Sequence, residues 1–104
     1  MPITINIEDT NPVTLHVEPD DLFEINFPRA TTIDFHNQTD RPIFISEKND
    51  FNKYENDKLG KYLTINSDNG YNDYIFYTGG KKTLYIKCHE QAKGFISIMK
   101  KEWW

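Results

Sequence analysis

The sequence predicts an all-β domain, a Greek-key β-sandwich of about seven to nine strands with at most one short helix near residues 50–59. Three observations carry this. Apolar and polar residues alternate at period two along most of the chain, as on strands buried on one face. Clusters of turn-forming residues interrupt the alternation at roughly the eight-to-twelve-residue spacing of sandwich proteins. Helical periodicity shows only in one polar stretch, from Ser46 to Gly60.

The elements follow in order. Ile3, Ile5 and Ile7 alternate with Thr4 and Asn6 in a first half-buried strand. Glu8 to Pro12 is turn chemistry, with a proline suited to a strand start or edge. Val13, Leu15 and Val17 face inward in a second strand, which puts Thr14 and His16 outside. After the turn Glu18-Pro19-Asp20-Asp21, the inward set of a third strand is Phe23, Ile25 and Phe27, and Pro28 ends it. Ile33 and Phe35 mark a fourth strand over Thr31 to Asn37, with His36 outside and a loop from Gln38 to Pro42. Ile43 and Ile45 define a fifth, with Phe44 on its other face.

Phe51, Tyr54 and Leu59 then fall at helical spacing, where Asn49 or Asp50 could cap a short helix and Gly60 close it. Leu63 and Ile65 mark a sixth strand. Ser67-Asp68-Asn69-Gly70 predicts a tight hairpin turn into a seventh, aromatic strand from Tyr71 to Thr78. That strand sets Tyr74 and Phe76 against Ile75 and Tyr77. Gly79-Gly80 leads to a last hairpin, with Leu84, Ile86 and Cys88 on one face, a polar bend from His89 to Lys93, and a strand opened by Gly94. In that strand Ile96 and Ile98 alternate with Ser97 and Met99.

Length and composition narrow the function. The 104 residues are one domain, 1–104, long enough to fold without a disulfide or structural metal. Acidic residues number 16 against 12 basic ones, a net charge of −4, which argues against nucleic acid or an anionic membrane as partner. A single cysteine makes no internal disulfide. The start MPITINIEDT reads as no signal peptide, and no stretch approaches the ~20 apolar residues of a membrane span. A cytoplasmic, reducing environment is the expectation. Asn37-Gln38-Thr39 is formally a glycosylation acceptor, which carries little weight without a secretory route. Ten of the 12 basic residues are lysine, and Ile and Asn are abundant, a bias of AT-rich genomes including those of large DNA viruses. If the source is viral, packaging in a virion is the natural location.

Gly80 through Ile98 resembles the C-terminal hairpin of the cupredoxins, the small blue-copper β-sandwiches. Thr83-Leu84-Tyr85-Ile86-Lys87-Cys88 is similar to the strand that ends in their cysteine ligand, and Gly94-Phe95-Ile96-Ser97-Ile98 to their last strand. Thr32-Ile33-Asp34-Phe35-His36-Asn37 is similar to their strand ending in Phe-x-Asn. A blue-copper centre needs two imidazoles and a thiolate in a plane with a weak axial ligand. Here Ile43 stands where the resemblance places the first histidine, His89 follows Cys88 at once, and the loop from His89 to Lys93 holds no methionine. The resemblance therefore implies a cupredoxin-like sandwich that has lost copper and carries no cofactor. The alternative is an atypical copper or electron-transfer site built on Cys88 and His89, with a third ligand from His36, His16 or Met99.

Residue by residue, Cys88 shares parity with Leu84 and Ile86 and reads as a buried thiol. His16 and His36 lie on outward faces and could pair on a metal only if their strands were adjacent. No nucleophile with a neighbouring base can be assembled, so an enzyme is not expected. The acids from Glu47 to Asp57 lack the spacing of a calcium loop. Two aromatic groups mark a candidate partner surface: Tyr74 and Tyr77 of the seventh strand, and Trp103 and Trp104 at the chain end. The function expected is a non-enzymatic binding or structural module, meeting a protein partner or itself through aromatic surface.

Overall fold

A computed structural model describes residues 2–7, 12–27, 32–51, 62–75 and 82–101 of the chain. Among them are nine strands: β1 (Ile3–Asn6), β2 (Val13–Val17), β3 (Leu22–Phe27), β4 (Thr32–Thr39), β5 (Ile43–Ser46), β6 (Leu63–Ile65), β7 (Gly70–Ile75), β8 (Lys82–Cys88) and β9 (Gly94–Lys101). They form a five-stranded sheet in the order β1-β3-β8-β5-β6 and a four-stranded sheet in the order β2-β9-β4-β7. Only β1 and β3 run parallel; every other pair is antiparallel. The all-β expectation therefore holds. The helix expected near 50–59 falls almost wholly outside the described residues, and Asp50 and Phe51 are not helical.

The two sheets enclose one core, and period-two alternation decides which side chains enter it. Val17, Ile25, Phe27, Ile33, Ile43, Leu84, Ile86 and Ile96 are completely buried. Each has the inward parity its strand predicts. Burying a large aliphatic or aromatic side chain contributes roughly 1.5–3 kcal/mol, which makes this layer the main source of stability.

Two expected hairpins are not hairpins. β6 lies in the five-stranded sheet and β7 in the four-stranded one, so the turn between them crosses from sheet to sheet. The reason lies in what the turn binds. The Asn69 N–H donates to the Asn66 carbonyl at 3.1 Å, closing a turn in which Asp68, not Gly70, takes positive φ (60°). The Asp68 N–H then donates to the Asn37 carbonyl at 2.9 Å, and the Asn37 N–H to the Asn69 carbonyl at 2.9 Å. The Ser67 hydroxyl donates to the Thr39 carbonyl at 2.6 Å. These bonds pin the turn to β4 and carry the chain into the other sheet. Gly70 is required for closeness instead: an added Cβ would sit 3.0 Å from the Phe35 carbonyl oxygen.

The Cys88–Gly94 connection also crosses between sheets, because β8 lies between β3 and β5 whereas β9 lies between β2 and β4. The His89 carbonyl accepts from the N–H groups of Ala92 and Asp20, both at 3.0 Å. The Lys93 N–H donates to Asp40 Oδ1 at 3.0 Å, tying the bend to the loop after β4.

The fourth strand runs on to Thr39, two residues past the expected end. In β7, Asn72 and Asp73 together oppose Asp34, a bulge with Asp73 at φ 60° and its N–H on Asp34 Oδ1 at 2.8 Å. The bulge brings Tyr71 and Tyr74, three residues apart, opposite Phe35 and Ile33 respectively. Phe76 and Tyr77 lie outside the described residues.

Candidate functional site

Cys88 ends β8 with its thiol 1% exposed, directly across from Ile43 of β5. Its N–H donates to the Asp21 carbonyl at 2.8 Å, which holds the strand end against β3. Burial, reinforced by the Asp21 carboxylate, pushes the thiol up to about 12. Such a thiol stays protonated and unreactive, because the thiolate is the nucleophile and the ligand. A disulfide reagent at about pH 8 is accordingly expected to label Cys88 only after denaturant is added. Rapid labelling of the folded chain would contradict this burial.

The same shift sets a pH dependence. The folded thiol keeps its proton above 9.0, where the unfolded thiol loses it, up to about 12. Its contribution to stability is therefore complete below 9.0 and is lost as pH rises towards 12. Replacing Cys88 with alanine is expected to flatten the alkaline loss of stability from its lower edge, read from urea midpoints across that range.

The three histidines do not gather around this thiol. His89 Nδ1 accepts the Gln91 N–H at 3.0 Å, so the ring folds onto its own turn with that lone pair occupied. His36 stands exposed on the outer face of the four-stranded sheet, opposite Ser97 of β9 and Gly70 of β7. His16 is exposed on β2 with its ring 5.5 Å from that of Phe95 and its Nε2 3.6 Å from Glu18 Oε1. β9 separates β2 from β4, so the two exposed histidines stand two strands apart, roughly 10 Å in backbone spacing. Among the described residues no group of three or more His, Cys, Asp and Glu is placed to hold a metal ion. The residues present do not fit a blue-copper ligand set: the thiol faces the core beside Ile43, and His36 faces outward from the other sheet.

Of the expected partner surface, Tyr74 is half-buried rather than free. Its ring packs edge-on against Phe35 at 6.2 Å, and its hydroxyl donates to Glu47 Oε2 at 2.7 Å. Burial first, and the Glu47 carboxylate second, push this phenol well above the ordinary tyrosine range. Tyr77, Trp103 and Trp104 lie outside the described residues. Beside Tyr74 a cleft opens between the sheets, lined by Ile45, Ser46, Glu47, Lys48, Tyr62 and Leu63.

Compared with known proteins, the chain matches no family model, no curated protein and no solved structure.

The outer face of the four-stranded sheet holds what the sequence reading overlooked. Phe95 and Met99, on the inner strand β9, are 48% and 44% exposed. They flank Ser97, with His16 beside Phe95 and His36 beside Ser97. A groove of about 280 Å3 runs past Met99, lined also by Pro12, Thr14, Asp34 and Asn72. The signal for this face was present: Phe95 and Met99 have the parity opposite to Ile96 and Ile98, so they had to point away from the core.

A second overlooked residue is Asn37, which shares the inward parity of Ile33 and Phe35 and is completely buried. Its Nδ2 donates to the Arg41 carbonyl at 2.8 Å and to the Ile65 carbonyl at 3.0 Å. Its Oδ1 accepts from the Thr39 N–H at 3.0 Å and the Thr39 hydroxyl at 2.6 Å. Every strong hydrogen-bonding position of the amide is used, which is the condition for burying it without loss.

Proposed function

We propose that this chain is a non-enzymatic binding or structural module on a jelly-roll sandwich, and that it meets protein through the outer face of the four-stranded sheet. The observation that carries the contact face is the exposure of Phe95 and Met99 on a strand flanked on both sides. The solvated face of an antiparallel sheet is ordinarily polar. Here two large apolar side chains stand on one strand beside Thr14, Gln38 and Ser97, with one carboxylate, Asp34, across from Met99. Large apolar side chains ringed by mostly uncharged polar groups match the composition of an interface centre with a polar rim.

Two features support the jelly-roll reading. Strands β2 to β9 interleave as 2-9-4-7 and 3-8-5-6, a ribbon rolled so that its successive rungs alternate between sheets. The stretch Gly80 to Ile98, expected as a terminal hairpin, instead sends β8 and β9 to different sheets, as a rolled ribbon does. Jelly rolls serve viral capsid and lectin domains among others, and a fold hosts many unrelated functions. A place in a virion is proposed on composition alone.

Self-association through this face is the expected behaviour of the isolated protein. In sedimentation equilibrium the apparent mass should rise with concentration, and Phe95→Glu and Met99→Glu should return it to the monomer while the chain stays folded. A wild type that remains strictly monomeric up to its solubility limit would remove self-association, and variants that associate as the wild type does would remove this face.

A further inference from the structure

We infer that Asn37-Gln38-Thr39, although it spells an N-glycosylation acceptor, is a structural lock, and that a glycan on Asn37 and this fold exclude one another. The inference starts from the chemistry of transfer. Asn37 Nδ2 would bond to the anomeric carbon of a lipid-pyrophosphate-linked oligosaccharide. The bond from that carbon to the pyrophosphate oxygen would break, and Nδ2 would give up one proton. The lipid pyrophosphate leaves, and the amide keeps a single N–H.

The folded chain needs both of those N–H groups. One holds the Arg41 carbonyl in the loop after β4, and the other holds the Ile65 carbonyl at the end of β6. Asn37 thereby joins the four-stranded sheet to the five-stranded one. A glycosylated amide can serve only one of these carbonyls, and it must direct a sugar into a site that is 0% exposed. The hydroxyl that an acceptor sequence must present is committed as well: Thr39 Oγ1 lies 2.6 Å from Asn37 Oδ1 and 2.7 Å from the Arg41 carbonyl. The main chain leaves no slack either, since Asn37 is paired with Ile96 of β9 and bonded on its other side to Asp68 and Asn69. Transfer can therefore occur only on an unfolded chain, and once it has occurred the two sheets cannot be joined at this point. A folded chain accordingly carries no sugar on Asn37, whichever of folding and transfer is the faster.

The test uses the full chain behind a cleavable secretion signal in glycosylating eukaryotic cells, with and without tunicamycin, which stops synthesis of the glycan donor. The expected result is a glycan mapped to Asn37 on chains that are retained and readily cut by protease, beside unmodified, protease-resistant, secreted chains under tunicamycin. Unmodified folded chains in untreated cells would support the same exclusion, because folding would then have closed the site first. A secreted, protease-resistant chain bearing a glycan on Asn37 overturns the proposal. So does equal protease sensitivity of the glycosylated and unglycosylated forms.

Discussion

Replacing Asn37 with alanine is expected to cost about 3–4 kcal/mol, from the roughly 1–3 kcal/mol of each buried polar group left without a partner. The substitution strips the Arg41 and Ile65 carbonyls of their donors and the Thr39 N–H of its acceptor. Thr39 can turn its hydroxyl to the Arg41 carbonyl, which lies 2.7 Å away, and so recovers part of the loss. Urea unfolding should show a lower midpoint with an unchanged slope, the mark of lost stability without a change in surface exposed. The neighbouring change Gln38→Ala is the internal control. Gln38 is exposed and bonds only Ser97 among the described partners, so its effect should stay within about 0.5 kcal/mol. Equal effects at the two positions would show that the buried amide is not the joint between the sheets.

The second large effect is expected at Gly94. It opens β9 at φ 136°, and a Cβ there would lie 2.5 Å from the Gln38 carbonyl oxygen and 2.8 Å from Thr39 Cα. Both obstacles are backbone, so no side-chain rotation relieves them. Nor can β9 move aside, because Gly94 is paired with Val17 on one side and Thr39 on the other. Backbone strain of about 1–3 kcal/mol and overpacking of similar size combine to roughly 3–5 kcal/mol for Gly94→Ala. That is a large share of the ~5–15 kcal/mol that holds a domain together. Its melting temperature should fall by more than about 12 °C, or the chain should fail to accumulate as soluble protein. A variant melting within about 2 °C of the wild type would contradict the close packing of the bend on β4.

Which face each residue takes was legible in the sequence. Val13, Leu15 and Val17, then Phe23, Ile25 and Phe27, then Leu84, Ile86 and Cys88 point where alternation sends them, because a strand buried on one side leaves no other choice. Which strand sits beside which was not legible. Alternation reports a face and is silent about neighbours. Turn residues report a bend and are silent about where the chain lands after it. Asp68-Asn69-Gly70 is strong hairpin chemistry, yet the bonds from Asp68 and Asn69 to the main chain of Asn37 send β7 into the other sheet. The last two strands fared alike, since both edges of β9 are taken by β2 and β4 and both edges of β8 by β3 and β5. At Asp73 a bulge breaks the parity itself, which no count along β7 could anticipate.

The candidate site was legible in the same partial way. That Cys88 is interior and His36 exterior followed from parity alone. The importance of Asn37 did not, because an inward asparagine reads as no more than the last residue of a strand until its four hydrogen bonds are seen. Phe95 was passed over because it was read as part of a strand motif and not as an outward side chain on a flanked strand.

Among the described strands only β5 and β6 are both consecutive in the chain and hydrogen-bonded to one another. Almost no rung can close early. β2 must wait for β9, the last of these strands to be synthesised, and β4 meets β9 only then. Ordering distant segments costs chain entropy before any contact rewards it, so refolding should fall at the slow, millisecond-to-second end for domains of this size. A nascent chain halted before Gly94 is left with β2 unzipped and the hydrophobic sides of both sheets open to capture by a chaperone or by another unfinished copy.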